Sequence, residues 1–235
     1  MSRPTAARKA PKGEYIETDS GNKVSRRAHI SGTANITLGG RTVIMADVHL
    51  RGDLHRLKAP SEPGSNPPAS SSTANAISIG RCTVIGAGCV IKPPSRISRG
   101  TLSYYPMKIG DNVFIGAGSH VSAASISSHV YVGEGCVLEP FCIVRDNVKV
   151  LPHSVVPANM VIPSNSVVGG RPARVVGELG EGWGVAAGGG ATAATGGGGA
   201  GGGGGAAGMG VGLPLGLGEV WVEGGDLREL VRSIK

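Results

Sequence analysis

The chain has 235 residues, of which 41 are Gly and 15 are Pro, whereas aromatic residues make up 3% and charged residues 17%. So few aromatic residues argue against an ordinary α/β core and favour a narrow, repetitive architecture filled with small aliphatic side chains. No apolar stretch approaches the length of a membrane span, so direct membrane insertion is excluded. The net charge of +7 would suit nucleic acid, but the basic residues are scattered without interleaved aromatic residues, so nucleic-acid binding is not predicted.

The chain begins with a polar, basic tail, which we assign to residues 1–13 and expect to be disordered. Its acid-poor composition also resembles a mitochondrial transit peptide, and this alternative stays open. No apolar segment near the start suggests a secretory signal, so we expect a cytoplasmic protein. The body follows over 14–179, with a Pro- and Ser-rich insertion at 59–76 and a loop at 92–108.

Within the body, an aliphatic residue recurs in steps of six, and Gly frequently follows it. Small residues, among them Cys89, Cys136 and Cys142, mostly stand four places after it. Towards the N-terminus, Ile30, Ile36, Val48 and Leu54 keep the same step, with Val43 one place off. The recurring residues of the later body, which we predict to form the core, are Ile79, Ile85, Ile91, Ile109, Ile115, Val132, Leu138, Val144, Val150, Val156, Ile162 and Val168.

This six-residue period predicts the hexapeptide repeat of a parallel β-helix, because neither a helix nor an alternating strand has it. Each hexad forms one flat side, and three hexads make a triangular coil with the aliphatic residue inside. About seven coils, stacked about 4.8 Å apart, would give a prism about 30 Å long. The cysteines form no CxxC pair, so we expect reduced thiols that serve as small core residues.

After the body, residues 180–218 are nearly all Gly and Ala and are predicted to be a flexible linker. The segment 219–235 is predicted to contain a short helix, with Asp226 as its cap and Glu229 completing a capping box. Its apolar residues fall on one face, so it should dock on the body as an end cap or as a side brace. These apolar residues are Leu227, Leu230, Val231 and Ile234.

Two stretches, 48–53 and 168–173, resemble segments of the γ-class carbonic anhydrase family. Members of that family bind zinc through three histidines that are gathered between neighbouring subunits of a trimer. At the corresponding positions this chain has Lys92, Ala117 and Ser122, and His120 is out of phase. A catalytic zinc site needs three protein ligands, so zinc hydration is rejected and no cofactor is expected.

A second resemblance is closer and covers most of the body. The segment 14–26, the interrupted hexad 90–94, the Tyr-Tyr-Pro at 104–106 and the run 109–115 are similar to motifs of the dynactin subunit 5 family. The pieces 155–157 and 177–179 are similar too. The resemblance implies an all-β fold, a left-handed parallel β-helix with a short C-terminal α-helix. Its left hand comes from the resemblance, since spacing does not determine handedness.

The same resemblance implies a non-enzymatic scaffold of the cytoplasm and the microtubule cytoskeleton. Family members pair with the β-helix of dynactin subunit 6 and, with dynactin subunit 4 and an actin-related protein, cap the pointed end of the dynactin filament. That complex joins dynein to cargo adaptors. Two alternatives remain, a zinc-less carbonic-anhydrase-like mitochondrial subunit and a hexapeptide acyltransferase that uses a histidine as its base.

Exposed Arg and Tyr side chains are typical anchors of protein interfaces, so those near the loop 92–108 and the C-terminal coil are candidate partner-binding residues. A second interpretation of equal weight is that the two tyrosines pack the loop onto the body. The tripeptide at 51–53 is interpreted as a corner turn whose Arg and Asp bond to adjacent coils. The candidates are Lys92, Arg96, Arg99, Tyr104, Tyr105, Arg171 and Arg174.

Overall fold

A computed structural model describes residues 13–55, 75–98, 100–179 and 227–234. These ranges leave out most of the predicted tail, most of the predicted insertion and all of the predicted linker. They also leave out Arg99 and the predicted capping residue Asp226. The described part is built almost entirely of short strands, with a single turn of 3-10 helix at Thr33–Asn35 and an α-helix, α1, at Leu227–Ser233.

The strands are short because each one crosses a single side of a triangular coil before the chain turns a corner. In chain order they are β1 (Tyr15–Glu17), β2 (Lys23–Ser25), β3 (His29–Ser31), β4 (Ile36–Leu38), β5 (Val43–Ile44), β6 (His49–Arg51), β7 (Ile77–Ile79), β8 (Val84–Ile85), β9 (Val90–Ile91), β10 (Ser95–Ser98), β11 (Thr101–Tyr104), β12 (Met107–Ile109), β13 (Phe114–Ile115), β14 (His120–Val121), β15 (Ser125–Ile126), β16 (Val130–Val132), β17 (Val137–Leu138), β18 (Ile143–Val144), β19 (Val148–Val150), β20 (Val155–Val156), β21 (Val161–Ile162), β22 (Ser166–Gly170) and β23 (Ala173–Glu178).

Three sheets form the sides of the prism, and we call them faces A, B and C. Face A has nine strands in the order β1-β2-β5-β8-β13-β16-β19-β22-β23. Face B is the six-stranded sheet β3-β6-β9-β14-β17-β20, and face C is β4-β7-β12-β15-β18-β21. All neighbours are parallel except β1 and β23, which run antiparallel at the two edges of face A. The all-β, left-handed parallel β-helix is thereby established.

In-register stacking of aliphatic side chains fills the prism. On face A, for example, Ile85, Ile115 and Val132 are register partners on successive coils, and each is fully buried. Every residue of the predicted core series has 2% or less of its surface exposed. The small residues beside them, Thr83, Cys89, Ser119, Cys136, Cys142, Ser154 and Ser166, are also buried.

The glycines that follow the aliphatic residues stand where successive coils come closest. A Cβ on Gly116 would lie 2.5 Å from the backbone nitrogen of Glu134, and one on Gly133 would lie 2.5 Å from that of Pro152. No larger residue fits such distances without moving the next coil, so the repeated Gly in the sequence reflects backbone-to-backbone contact.

The N-terminal series predicted from the sequence is confirmed in part. Val48 is fully buried in the core, and Ile30 and Ile36 pack against it. Leu54 is only half-buried and lies outside the core cluster, because the repeat here runs through Leu38, Ile44 and Leu50. The 3-10 turn at Thr33–Asn35 explains this, because it adds residues to the corner after β3 and shifts every later hexad by two places.

The predicted loop 92–108 is a β-hairpin of β10 and β11, and the prism resumes earlier than expected, at the buried Met107. The C-terminal helix is a side brace and not an end cap. It packs on the outer side of face A, where its four predicted apolar residues are buried against Val43, Val84, Phe114 and Tyr131. The rings of Phe114 and Tyr131 stack there at 5.2 Å, outside the prism interior. No helix among the described residues has the length and apolar character needed to cross a membrane.

We expect Ile115→Ala to lower the free energy of unfolding by about 2–5 kcal/mol, because it leaves a cavity between fully packed coils. Urea denaturation followed by circular dichroism measures this change. Val161→Ala is the control, since Val161 is 51% exposed, and it should cost well under about 1 kcal/mol. Equal effects of the two substitutions would contradict the assignment of Ile115 to the interior.

Candidate functional site

The hairpin of β10 and β11 leaves the prism between faces B and C. Before it departs, the Lys92 backbone N–H still donates to the Val121 carbonyl of the next coil at 3.0 Å. Pro93 and Pro94 are buried and turn the chain outward, and the Tyr105 N–H closes the base by donating to the Pro94 carbonyl at 2.9 Å. The hairpin is therefore tied to the prism at both of its ends.

The arm of the hairpin carries an exposed apolar pair. Ile97 and Leu102 face each other across the two strands and are 71% and 51% exposed. Beside them, the exposed Arg96 lies opposite Ser103. Large apolar side chains held side by side on an exposed surface are typical of a surface that a protein partner covers.

The base of the hairpin is held by an aromatic contact. The Tyr105 ring meets the Phe141 ring edge to face, with 5.3 Å between the ring centroids. Phe141 lies at a corner between faces B and C, two coils beyond the coil from which the hairpin leaves. Tyr105 thus packs the hairpin onto the prism, while Tyr104 is half-buried and pairs with Ser95.

Two other candidates, Arg171 and Arg174, lie at the C-terminal coil, four strands further along face A than β8. Both side chains are exposed. The Arg171 Nε donates to the His153 carbonyl, and an Arg174 nitrogen donates to the Ala173 carbonyl at 3.3 Å. The structure therefore does not bring them together with the hairpin. The coil of β22 lies four coils, or about 19 Å along the prism, from the coil at which the hairpin leaves.

The positions that correspond to the zinc ligands of the γ-class carbonic anhydrases hold no ligand side chains. Ile91 and Val121 are register partners on neighbouring coils, so Lys92 and Ser122, the residues that follow them, lie at equivalent positions. Ala117 is exposed. Over the described ranges, no three His, Cys, Asp or Glu residues gather closely enough to hold a metal ion. His29 and His49 stack at 4.7 Å on the outside of face B, and His120 lies in the same outward row.

The cysteines are buried, free thiols. Burial raises the pKa of Cys89 to about 11 and that of Cys142 to about 12, and it also raises the pKa of Cys136. Because the thiolate is the reactive form, these three side chains are poor nucleophiles near neutral pH.

The corner at 51–53 differs from the sequence interpretation. Arg51 and Asp53 pair with each other, through two hydrogen bonds of 2.8 Å, and not with adjacent coils. The hydrogen bond from Arg51 lowers the pKa of Asp53 below its ordinary value. Gly52 does stand at a crowded corner, since a Cβ there would come within 2.4 Å of the Ile36 side chain.

Sequence reasoning selected the Arg and Tyr residues of the hairpin but missed Ile97 and Leu102. A signal was present, because polar and apolar residues alternate on both sides of Gly100, as they do in a hairpin. The six-residue period is regular on both sides of residues 92–108, so its interruption there predicts a loop and gives no sign of a hairpin.

A family model described as dynactin subunit 5 matches residues 8–62 and 70–184. The chain belongs to the dynactin subunit 5 family. The matched residues include every described strand of the prism and the projecting hairpin. The α-helix α1 lies beyond them.

Individual relatives match shorter stretches. Dynactin subunit 5 of Dictyostelium discoideum is 39% identical over 117 residues, which are 50% of this chain and 49% of that protein. The mitochondrial γ carbonic anhydrase 1 of Arabidopsis thaliana is 30% identical over 107 residues, which are 45% of this chain and 38% of that protein. The chain thus aligns with about half or less of the curated relatives it matches.

A variant of AntD, an N-acyltransferase from Bacillus cereus, superimposes with a TM-score of 0.51 at 12% identity. The match covers 72% of this chain and 93% of that one. At this identity the similarity shows the fold alone.

We expect Tyr105→Ala to loosen the hairpin, because it removes the ring contact with Phe141. Amide hydrogen exchange of residues 95–104 should become at least several times faster, while exchange in β13 to β19 stays unchanged. Tyr105→Phe keeps the ring and is the matched control. Unchanged exchange in Tyr105→Ala would mean that the ring does not hold the arm.

The buried thiols should resist alkylation in the folded protein. At pH 8 we expect iodoacetamide to leave Cys89, Cys136 and Cys142 unmodified for hours, whereas the same reagent in 6 M guanidinium modifies them within minutes. Mass spectrometry of peptides measures both. Because their pKa values are raised on folding, these thiols stabilise the fold fully below the ordinary thiol pKa, and this stabilisation is lost as pH rises towards 11. Rapid native labelling would contradict their burial.

Proposed function

We propose that the chain is a non-catalytic subunit of dynactin that acts as a rigid scaffold at the pointed end of the complex. The observation that carries this proposal is the family match, which extends over the prism and the hairpin together. A prism whose sides are ladders of parallel strands presents fixed surfaces over its whole length. That property suits a subunit that holds other proteins at set positions.

The proposed partners are a second β-helix similar to dynactin subunit 6, dynactin subunit 4, the actin-related protein of the pointed end and adaptors that connect dynein to cargo. In this role the chain works in the cytoplasm, on microtubules. The hairpin supplies the contact surface, because Ile97 and Leu102 are exposed on an arm whose base is fixed to the prism. Arg96 and Tyr104 belong to this arm and Lys92 lies at its base, while Arg171 and Arg174 supply a second contact at the C-terminal coil.

The non-catalytic role is supported by the chemistry of the side chains. Lys92, Ala117 and Ser122 occupy the positions of the carbonic anhydrase ligands and offer no zinc-binding imidazole. The thiols whose pKa burial raises are protonated at neutral pH. The relationship to acyltransferases is one of fold, and a fold does not determine an activity.

The test is a pull-down of the tagged full-length chain from its own cells, followed by mass spectrometry. Wild-type protein should recover a second hexapeptide-repeat protein together with actin-related proteins and dynein. The double variant Ile97→Asp and Leu102→Asp should lose at least tenfold of one partner, because it places two carboxylates in a desolvated contact. Val161→Asp is the matched control, since its side chain is as exposed as that of Leu102 but lies on face C.

Two results would contradict the proposal in different ways. Recovery of mitochondrial complex subunits, or of the chain alone as a trimer, would overturn the dynactin assignment. Full recovery of dynactin by the double variant, with circular dichroism unchanged, would leave the assignment intact and remove the hairpin from the contact.

A further inference from the structure

The projecting hairpin is a sheet of two strands, β10 and β11. In the part of the chain that the structure describes, neither outer edge of this sheet is paired. An isolated two-stranded hairpin is only marginally stable in water, and a third strand or a packed face stabilises it. The base is packed, through Tyr105 and Phe141, whereas Ile97 and Leu102 on the arm are exposed. The arm is therefore the part of the hairpin that a further strand would complete.

The hydrogen bond at the base shows which backbone groups point away from the hairpin. The Tyr105 N–H donates to the Pro94 carbonyl, so these two residues form a hydrogen-bonded pair of the antiparallel ladder. Such pairs alternate with pairs that exchange no hydrogen bond. The register places Ser95 and Ile97 of β10 in pairs of the second kind. Their N–H and carbonyl groups therefore point outward, along the free edge of β10.

The same alternation gives the hairpin an apolar side and a basic side. Ile97, Leu102 and the half-buried Tyr104 share one side, and the exposed Arg96 lies on the other. Lys92 at the base is also exposed, and residues 92–108 contain no Asp or Glu. Neither Lys92 nor Arg96 makes an ion pair with another described residue. The charge that the hairpin presents is positive, which favours an acidic partner.

We propose that the outer edge of β10 binds an extended segment of a partner protein, which adds to the hairpin as a third strand. The backbone groups of Ser95 and Ile97 supply its hydrogen bonds, and its side chains supply specificity. Apolar residues of the segment lie beside Ile97 and acidic residues lie beside Arg96, so the two kinds alternate along it. The edge of β10 is preferred to that of β11, where Tyr104 is half-buried. The inference rests on the contact role proposed above for the hairpin and specifies what binds there.

A proline at position 95 tests the backbone contact. The Ser95 N–H points outward, so Ser95→Pro removes a donor to the third strand and keeps the hydrogen bonds between β10 and β11. The partner is defined as the protein that the double variant Ile97→Asp and Leu102→Asp loses in the pull-down from cells. Ser95→Pro should recover this partner about fivefold less than wild type. Ser95→Ala keeps the N–H and is the matched control, which should recover the partner fully.

Two results of this comparison would overturn the proposal in different ways. Full recovery of the partner by Ser95→Pro would exclude strand addition and leave the contact role of the hairpin intact. If the double variant loses no partner at all, the contact role fails and strand addition fails with it.

Amide hydrogen exchange tests the same contact without a substitution. In the isolated wild-type chain the amides of Ser95 and Ile97 should exchange rapidly, because neither is paired. In the complex that the pull-down recovers, both should exchange about tenfold or more slowly. Unchanged exchange at these two amides would overturn the proposal, and this measurement decides the question if Ser95→Pro fails to fold.

A photocrosslinker at Ile97 identifies the bound segment. Benzoylphenylalanine keeps this position apolar, and mass spectrometry of the cross-linked peptide gives the sequence that lies beside it. We expect a segment of a different protein in which apolar and acidic residues alternate. A cross-link to this chain itself, within one molecule or between two copies, would overturn the proposal. So would a cross-linked segment without acidic residues.

Discussion

The in-register stacking of one aliphatic side chain on another, coil after coil, is the constraint on which this structure depends. One such column on face A runs from β8 to β22 through Ile85, Ile115, Val132, Val150 and Val168. Because neighbouring backbones come within contact distance at the glycines that follow the aliphatic residues, such as Gly116 and Gly133, those positions cannot take a larger side chain. Additional chain must leave at a corner, and the hairpin does so.

This constraint also determines which side chains are available for binding other molecules. The interior is lined by buried side chains, and its thiols and hydroxyls serve packing and hydrogen bonding between coils. Distinctive features lie outside, on the arm between faces B and C and under the helix on face A. Phe114 and Tyr131 of face A follow the same division, because their rings fit beneath α1 and not inside the prism.

The regular part of the fold was predictable from the sequence because the same coil geometry recurs along the chain. In each coil it requires an aliphatic residue every six positions, frequently a Gly after it and a small residue four places on. The docking of Leu227, Leu230, Val231 and Ile234 followed from helical spacing, but the choice of face A did not. That choice depends on outward-facing side chains such as Val43 and Val84. The six-residue period identifies the inward-facing residues but does not say what the outward-facing ones contact. The phase near Leu54 failed for a similar reason, because a single corner turn at Thr33–Asn35 moves every later hexad.

The antiparallel strands β1 and β23 have a consequence for growth of the prism. A coil can be added to a β-helix only if the exposed edge repeats the hydrogen-bonding pattern of a parallel strand, and an antiparallel strand presents a different one. Face A therefore ends its own ladder at both edges, after Tyr15–Glu17 in one direction and Ala173–Glu178 in the other. On this side of the prism, neither edge of the described sheet presents a parallel strand on which a further coil could be added in the same pattern.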